Sequence, residues 1–250
     1  MTQPLSAKIS ILGVIPARLA STRLSRKVLR PLAGKPMLAW VYEAARACPQ
    51  LNQVLIATDS EEVAALCREN NWPVQLTSPD LPSGTDRVHA VSLQFPADIY
   101  VNIQGDEPLL KPEHLTALLR PFSEPNVEVT TLKVLCTPEN INNPNAVKVV
   151  TAANGRALYF SRATIPYNRD PEHNPTPQYW KHIGLYAYRR ATLQRFPTLP
   201  PSTLEQIERL EQLRFLENNI PIQVEPTDHD TIGVDTEEDL HRVESLLRHL

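Results

Sequence analysis

Two aspartates stand where they can hold a metal ion. Asp106 lies in the segment QGDEP, directly after an apolar run that predicts a central strand, and Asp235 follows a short Gly-Val pair in the same way. Carboxylates in such positions can hold a divalent cation against phosphate oxygens. A lone Gly-Asp pair is more often a turn in which the aspartate caps the next helix. The metal-site interpretation therefore requires that the two aspartates converge.

Two further segments are suited to binding anions. The stretch STRLSRKVL (21–29) follows the first apolar run and carries three cations but no glycine. Phosphate-binding loops usually contain glycine, which lets the backbone come close to the ligand. The segment SGTDR (83–87) is typical of a turn that opens a helix, where an anion or a sugar hydroxyl is well placed. Small polar residues also begin ordinary helices, so this segment alone is weak evidence.

A long helix is predicted over 203–218. At about 100° per residue, its leucines and Ile207 sweep a broad apolar arc. The polar residues share the remaining sector of roughly 120°. They are Glu205, Glu208, Glu211 and Gln212. A charged helix face is usually only solvated, although this mixture of carboxylates and an amide also suits a polar sugar.

An arginine and a histidine flank a proline-rich segment at 165–179. Arg162 precedes that segment, and His182, Gly184 and Tyr186 follow it on a predicted strand. A period of two places those three residues on one face of the strand. An isolated histidine is more often structural. Beside a lid loop, however, an arginine, a histidine and a tyrosine can grip a carboxylated, hydroxyl-rich ligand.

The first half of the chain alternates strand and helix patterns, which predicts an α/β fold with a mostly parallel sheet covered by helices on both faces. Ligands of such sheets bind at the carboxyl ends of the strands. Here those ends read PAR, TDS and QGD. One helix is expected to start with a capping box formed by Asp59 and Glu62, and the last helix with one formed by Thr236 and Asp239. A hairpin is predicted at Asn154-Gly155.

The composition excludes several classes of protein. A formal net charge of -3 over 250 residues leaves no basic excess to neutralise a nucleic-acid backbone. Three cysteines without close spacing are typical of reduced thiols in a cytosolic protein. The apolar run ISILGVI is too short to span a bilayer. We therefore expect a cytoplasmic protein with no nucleic-acid or membrane partner.

Taken together, the segments resemble the 3-deoxy-manno-octulosonate cytidylyltransferase family, also called the CMP-Kdo synthetases. The resemblance covers nearly the whole chain, and the pair ALYFSRATIP and QGDEP is highly specific. The matching segments are, in chain order, IPARLASTRL, TDSEEV, SGTDR, VNIQGDEP, NPNAVKVV, ALYFSRATIP, HIGLYAYR, LEQLR and GVDT.

The resemblance implies a Rossmann-like nucleotidyltransferase fold, usually dimeric, that uses CTP and Mg²⁺. In that family the anomeric hydroxyl of a 3-deoxy-2-keto sugar acid (Kdo) attacks the α-phosphorus of CTP, and the CMP-sugar formed serves lipopolysaccharide assembly. One domain over 1–250 is then expected. It comprises a nucleotide-binding half at about 1–135, a sugar-acid-binding and dimerisation half at about 136–230, and a closing helix at 231–250.

The same resemblance implies the site residues. Lys27, Asp106 and Asp235 are the expected catalytic residues, and the two aspartates are the expected Mg²⁺ ligands. The nucleotide is expected at Arg18, Lys27, Ser83, Arg87 and Gln104. The sugar acid is expected at Gln104, Arg162, His182, Tyr186, Glu211 and Gln212.

The chain departs from the family in its first loop. The family pattern there is S-T-R-L-P-G-K-x-L, and Ser25-Arg26 replaces Pro-Gly while Lys27 keeps its place. If the lost glycine had a positive φ, arginine costs about 1 kcal/mol of backbone strain. We expect the side chain of Arg26 to point into solvent, because Lys27 already serves the phosphates.

Other functions remain open on the sequence. An 8-amino derivative of Kdo, or a sialic acid, is an alternative substrate of the same reaction. A non-catalytic nucleotide sensor that has kept the fold is the alternative from another class, and only the altered loop favours it. Retention of Lys27, Asp106, Asp235 and Arg162 argues against a sensor.

Overall fold

The structure of the protein, a computed structural model, describes residues 9–19, 24–173 and 177–248. The strands are β1 Ile11–Pro16, β2 Pro31–Leu32, β3 Lys35–Pro36, β4 Gln53–Thr58, β5 Val74–Leu76, β6 Ile99–Asn102, β7 Val129–Leu135, β8 Lys148–Thr151, β9 Ala157–Ser161, β10 Trp180–Arg189 and β11 Ile222–Pro226. The α-helices are α1 Met37–Arg46, α2 Glu61–Glu69, α3 Gly84–Ser92, α4 Pro112–Leu119, α5 Pro138–Ile141, α6 Arg190–Arg195, α7 Thr203–Glu208, α8 Leu213–Glu217 and α9 Glu237–Leu247.

One nine-stranded sheet runs through the described part of the protein. Its main path has the order β11-β7-β10-β6-β1-β4-β5, while β8 pairs with both β10 and β9. Strands β6, β1, β4 and β5 are mutually parallel, and β11 is parallel to β7. Strand β10 lies antiparallel between β6 and β7. A separate two-stranded sheet pairs β2 with β3.

Helices cover both faces of this sheet because the central strands are apolar on both sides. In β1, Leu12 and Val14 belong to a core with residues of α3, α6 and α8, whereas Ile15 belongs to the opposite core with residues of α1, α2 and α4. The period of two along the strand therefore feeds two cores. The predicted α/β class and sheet are confirmed. No helix among the described residues is long and apolar enough to cross a membrane.

The second half contains the predicted hairpin and one strand that the sequence analysis missed. Strands β8 and β9 are antiparallel, and Gly155 in their turn has φ +80°. Strand β7 was not predicted. Its run VTTLKVL mixes three polar residues into a strand that is nonetheless mostly buried.

The predicted helix over 203–218 is wrong. It is broken into α7 and α8, and Arg209 between them adopts the left-handed conformation with φ 54°. The break lets the Glu208 carboxylate accept from Ser161 Oγ at 2.6 Å on β9, while Glu211 faces α3 and accepts from the Thr85 hydroxyl. The four polar residues therefore do not share one face, and Ile207 is 73% exposed. Tertiary hydrogen bonds override the helical pattern here.

Of the two predicted capping boxes, one is wrong. The N-cap of α2 is Ser60, whose side chain accepts from the backbone of Val63, and not Asp59. Asp59 instead lies 3.1 Å from a guanidinium nitrogen of Arg87. At the start of α9, Thr236 and Asp239 form the predicted reciprocal pair.

Candidate active site

A small third core brings the first loop and the end of the chain together. Leu24 from the loop, Val234, and Leu240 and Val243 of α9 are buried in one cluster with Leu32, Met37 and Leu247. An ion pair of 2.8 Å between Arg30 and Glu237 adds to this contact. Packing of α9 therefore holds in place both the part of the loop that begins at Leu24 and the segment that carries Asp235.

The QGD turn comes close to the end of β1. A Cβ at Gly105 would lie 2.8 Å from the carbonyl oxygen of Pro16, so only glycine fits this approach. The backbone N–H of Val234 donates to the carbonyl oxygen of Asp106 at 2.9 Å. These two contacts place Asp106 beside both the first loop and the segment that contains Asp235.

Lys27 joins the two aspartates. Its ammonium donates to Asp106 Oδ2 at 2.5 Å and to Asp235 Oδ1 at 2.9 Å, with only 12% of its side chain exposed. Burial lowers the pKa of Lys27, but the two carboxylates outweigh it and the net pKa is above its ordinary value. The two aspartates thus converge, as the metal-site interpretation requires, and Lys27 bonds both.

Arg26 takes the conformation that the lost glycine favours. It has φ 55° and ψ 32°, directly before a 3₁₀ turn over Lys27–Leu29. Its guanidinium pairs with Glu62 of α2, and the two side chains are 59% and 46% exposed. The expected strain position is therefore correct. The side chain lies at the surface but is paired with Glu62 and not simply solvated.

Removal of the Arg26 side chain should stabilise the loop without weakening nucleotide binding. In a Glu62→Gln background, which already lacks the ion pair, Arg26→Gly should raise the free energy of unfolding by about 1 kcal/mol because glycine accepts a positive φ. The Michaelis constant for CTP should change less than about twofold. Denaturant unfolding and steady-state kinetics measure the two effects. A tenfold rise of that constant, about 1.4 kcal/mol, would instead make Arg26 a phosphate ligand.

The N-terminus of α3 gathers the other residues expected at the nucleotide. Ser83 is the N-cap, and its hydroxyl accepts from the backbone N–H of Asp86. The Arg18 guanidinium donates to the carbonyl of Leu81. Arg87 is fully buried, pairs with Asp59 and donates to the Thr77 hydroxyl. Arg87 is therefore a buried partner of Asp59, whereas Ser83 lies at the start of α3.

A cavity lined by several polar residues adjoins α3 and the end of β6. Its volume is about 220 Å³. Five of the six residues expected at the sugar acid line it, namely Gln104, His182, Tyr186, Glu211 and Gln212. The other lining residues are Gly84, Thr85, Asn102, Gly184 and Leu210.

His182 and Tyr186 form a neutral pair on one wall. Nε2 of His182 lies 3.0 Å from the Tyr186 hydroxyl and 3.0 Å from the Thr131 hydroxyl. Burial, helped by the neighbouring Lys181, lowers the pKa of His182 to about 3, and burial raises that of Tyr186 well above its ordinary pKa. At neutral pH this wall therefore offers uncharged hydrogen-bonding groups.

Glu211 also lines this cavity. Its carboxylate accepts a hydrogen bond from Thr85, whose hydroxyl also lies 3.4 Å from that of Tyr188. Burial raises the pKa of Glu211, and the hydrogen bonds from Thr85 and Ser83 oppose this. Glu211 is thus held by Thr85 and Ser83 at the start of α3.

Arg162 is the expected sugar-acid residue that does not line the cavity. Its guanidinium donates to the carbonyl oxygens of Glu208 at 2.7 Å, Pro144 at 3.0 Å and Arg209 at 3.4 Å. These bonds tie the end of β9 to the break between α7 and α8. Its predicted role at the sugar carboxylate remains a prediction.

Sequence reasoning missed two cavity residues, Thr85 and Asn102. Asn102 ends the otherwise apolar strand β6, two residues before Gln104. The available signal was a polar side chain at the end of a buried strand. It lies two residues before Gln104, a predicted binding residue, and a strand period of two therefore predicts the same face for both. Thr85 lay within the segment SGTDR but was not singled out.

Known proteins match this geometry and sequence closely. A family model described as Cytidylyltransferase matches residues 12–224. A 3-deoxy-manno-octulosonate cytidylyltransferase of Acidobacterium capsulatum is 65% identical over 96% of this chain and 98% of its own. The chain belongs to the 3-deoxy-manno-octulosonate cytidylyltransferase family. A second member, from Koribacter versatilis, is 55% identical over 96% of this chain and 91% of its own.

One solved structure supports the family assignment, and a second is similar in fold. One described as CMP:2-keto-3-deoxy-manno-octonic acid synthetase complexed with CTP superposes with a TM-score of 0.92 at 40% identity, covering 96% of this chain and 99% of its own. A cytidylyltransferase from Leptospira borgpetersenii has a TM-score of 0.65 at 15% identity, covering 97% of this chain and 88% of its own. The latter is similar in fold alone.

Proposed function

We propose that this chain transfers the cytidylyl group of CTP to Kdo, forming CMP-Kdo and pyrophosphate for lipopolysaccharide biosynthesis. The observation that carries the proposal is the cluster of Lys27, Asp106 and Asp235, in which Asp106 lies two residues after Gln104 of the cavity lining. The relatives named 3-deoxy-manno-octulosonate cytidylyltransferase and the CTP-bound neighbour support it.

In the reaction, the anomeric hydroxyl oxygen of the sugar acid bonds to the α-phosphorus of CTP. The bond from that phosphorus to the bridging oxygen of pyrophosphate breaks, and the hydroxyl loses its proton. Such transfers depend on positioning and neutralisation of charge more than on a covalent intermediate. Lys27 supplies positive charge on the triphosphate loop. Glu211, Gln212, His182 and Tyr186 orient the hydroxyls of the sugar acid, and Gln104 lies between the two substrates.

The residues at the cluster fit Mg²⁺. Asp106 and Asp235 offer carboxylate oxygens, and their side chains are 30% and 42% exposed, so a partly hydrated ion can reach them. The described residues contain no group of three or more metal-ligating side chains. Mg²⁺ commonly takes its remaining ligands from water and substrate phosphates. When bound, it neutralises phosphate charge and makes the anomeric hydroxyl more acidic.

The assay that tests the function is pyrophosphate release across a panel of nucleotides and sugar acids. We expect release only when CTP, Mg²⁺ and Kdo are all present, with the same protein showing little release with UTP, ATP or GTP. Activity with 8-amino-Kdo or N-acetylneuraminate but not with Kdo would reassign the substrate. Binding of CTP without release from any sugar acid would favour a sensor.

We also propose that the protein is a homodimer. The resemblance to a usually dimeric family carries this expectation, because the broken helix leaves no continuous apolar arc over 203–218. Large apolar side chains exposed on the second half, such as Leu158 at 61% and Ile207 at 73%, are compatible with an interface there. Light scattering at micromolar concentration should give twice the mass of the chain, and a monomer there would contradict the proposal.

The expected location is the cytoplasm. Cys48, Cys67 and Cys136 are free, and the first two are buried. Free thiols are typical of a reducing compartment. Both proposed substrates are small molecules, so neither a nucleic acid nor a membrane is needed as a partner.

A further inference from the structure

Asn102 is a buried polar residue at the floor of the cavity. It is the last residue of β6, opposite Val14 on one side and Tyr186 on the other. Its side chain is 2% exposed, although it lines the cavity. The three residues before it on β6 are apolar or aromatic and fully buried. An asparagine at this position is therefore a costly choice for packing alone.

One end of the Asn102 amide has no partner within the protein. Nδ2 lies 3.5 Å from the Thr85 hydroxyl oxygen, whereas no hydrogen-bond partner is present for Oδ1. Buried side-chain polar atoms are nearly always hydrogen-bonded, and an unpaired one destabilises the folded state. The Asn102 side chain also interacts with Tyr188, but neither Thr85 nor Tyr188 forms a hydrogen bond with Oδ1.

A second buried amide of the same cavity is also incomplete. Gln212 is 6% exposed, and its Nε2 has no hydrogen-bond partner. The cavity therefore has an unused acceptor on Asn102 and an unused donor on Gln212. A hydroxyl group both donates and accepts, so the hydroxyls of a polyol can supply the missing partner of each amide.

Space beside the amide is kept open by a glycine. A Cβ at Gly84 would lie 3.7 Å from Asn102 Nδ2 and 3.8 Å from Oδ1, which is van der Waals contact. Gly84 itself lines the cavity. A ligand can therefore approach the amide where any other residue at position 84 would place a side chain.

We propose that Asn102 is a specificity-determining residue, whose Oδ1 accepts a hydrogen bond from a hydroxyl of the bound sugar acid. This rests on the proposed function and goes beyond it, because it names a contact that selects a hydroxylated sugar acid over a deoxy analogue. A site built to hydrogen-bond a substrate hydroxyl rejects the analogue that lacks it, since the buried acceptor is then left unpaired.

The test combines Asn102→Ala with a panel of monodeoxy analogues of the sugar acid. In the wild type, one analogue should lose about tenfold or more in kcat/KM. The same analogue should lose less than about threefold in the variant, since the partner of its missing hydroxyl is gone. The Michaelis constant for CTP should stay within about twofold. Thr130→Val is the matched control, because it removes a buried hydroxyl that donates to Leu118 O, outside the cavity lining.

Calorimetric binding of the sugar acid separates the possible failures. If the wild type neither binds nor turns over any sugar acid in the presence of CTP and Mg²⁺, the proposed function fails and this inference with it. If the wild type binds and turns over Kdo, but no analogue is discriminated differently by wild type and variant, only the role of Asn102 is overturned. Should Asn102→Ala not fold, Asn102→Ser keeps a small polar side chain beside Thr85 and serves in the same cycle.

Discussion

Asp106→Asn should lower the rate of CMP-Kdo formation by about 10³-fold or more while the protein stays folded. Asparagine keeps the shape of the side chain, and the backbone bond from Val234 to the Asp106 carbonyl is unaffected. What is lost is a negative oxygen that faces Lys27 at 2.5 Å and is the proposed metal ligand. Steady-state rates, with circular dichroism and thermal unfolding as checks of folding, measure the effect.

Asp230→Asn is the matched control for that experiment. Asp230 also accepts from a lysine ammonium, that of Lys181 at 2.7 Å, and its side chain is 33% exposed compared with 30% for Asp106. We expect this variant to keep turnover within about threefold, since partly exposed ion pairs contribute little. Full activity of Asp106→Asn would refute the metal assignment, and equal losses in both variants would indicate a structural role for such pairs.

Lys27→Met should separate metal binding from turnover. Methionine replaces the ammonium with an apolar chain of similar length, so the charge on the triphosphate is no longer balanced and kcat/KM for CTP should fall by about 10²-fold or more. In the same variant, Mg²⁺ should bind more tightly than to the wild type. The reason is that the ammonium, which occupies Asp106 Oδ2 and Asp235 Oδ1, no longer competes for these oxygens.

Isothermal calorimetry with Mg²⁺ on the nucleotide-free protein, beside the kinetics with CTP, measures both effects. Lys181→Met is the matched control, because the Lys181 side chain is 16% exposed against 12% for Lys27 and its ammonium also bonds an aspartate. It should leave Mg²⁺ affinity and kcat/KM nearly unchanged. If Lys27→Met binds Mg²⁺ more weakly than the wild type, Lys27 does not compete with the ion for the carboxylates.

Much of the site could be predicted because the sequence marks strand ends. The rule that ligands bind at the carboxyl ends of parallel strands places Asp106 at the site from its position alone. Asp235 was a weaker case, since it lies 208 residues from Lys27 in sequence and only the packing of α9 brings it there. The positive φ of Arg26 could be predicted from the glycine that the family pattern has at this position, because φ restrictions are local.

The remaining errors involve contacts between distant segments. The periodicity over 203–218 predicts one helix. In the structure, however, Glu208 bonds Ser161 of β9 and Glu211 bonds Thr85 of α3, and the helix is interrupted at Arg209 between them. The spacing of Asp59 and Glu62 predicts a helix cap, whereas in the structure Asp59 pairs with the buried Arg87. Side-chain partners 28 to 126 residues away along the chain cannot be read from a local pattern.

The place of β10 in the sheet has a consequence for how the protein folds. Strand β7 reaches the parallel strands only through β10, since β10 lies between β6 and β7. A growing chain in which β10 is not yet complete therefore leaves one edge of β6 unpaired, and β7 has no β10 to pair with. Exposed strand edges invite intermolecular pairing, and long-range pairing slows folding. We expect fragments such as 1–135 to aggregate. We also expect β7 to join the parallel strands only after β10 has emerged from the ribosome.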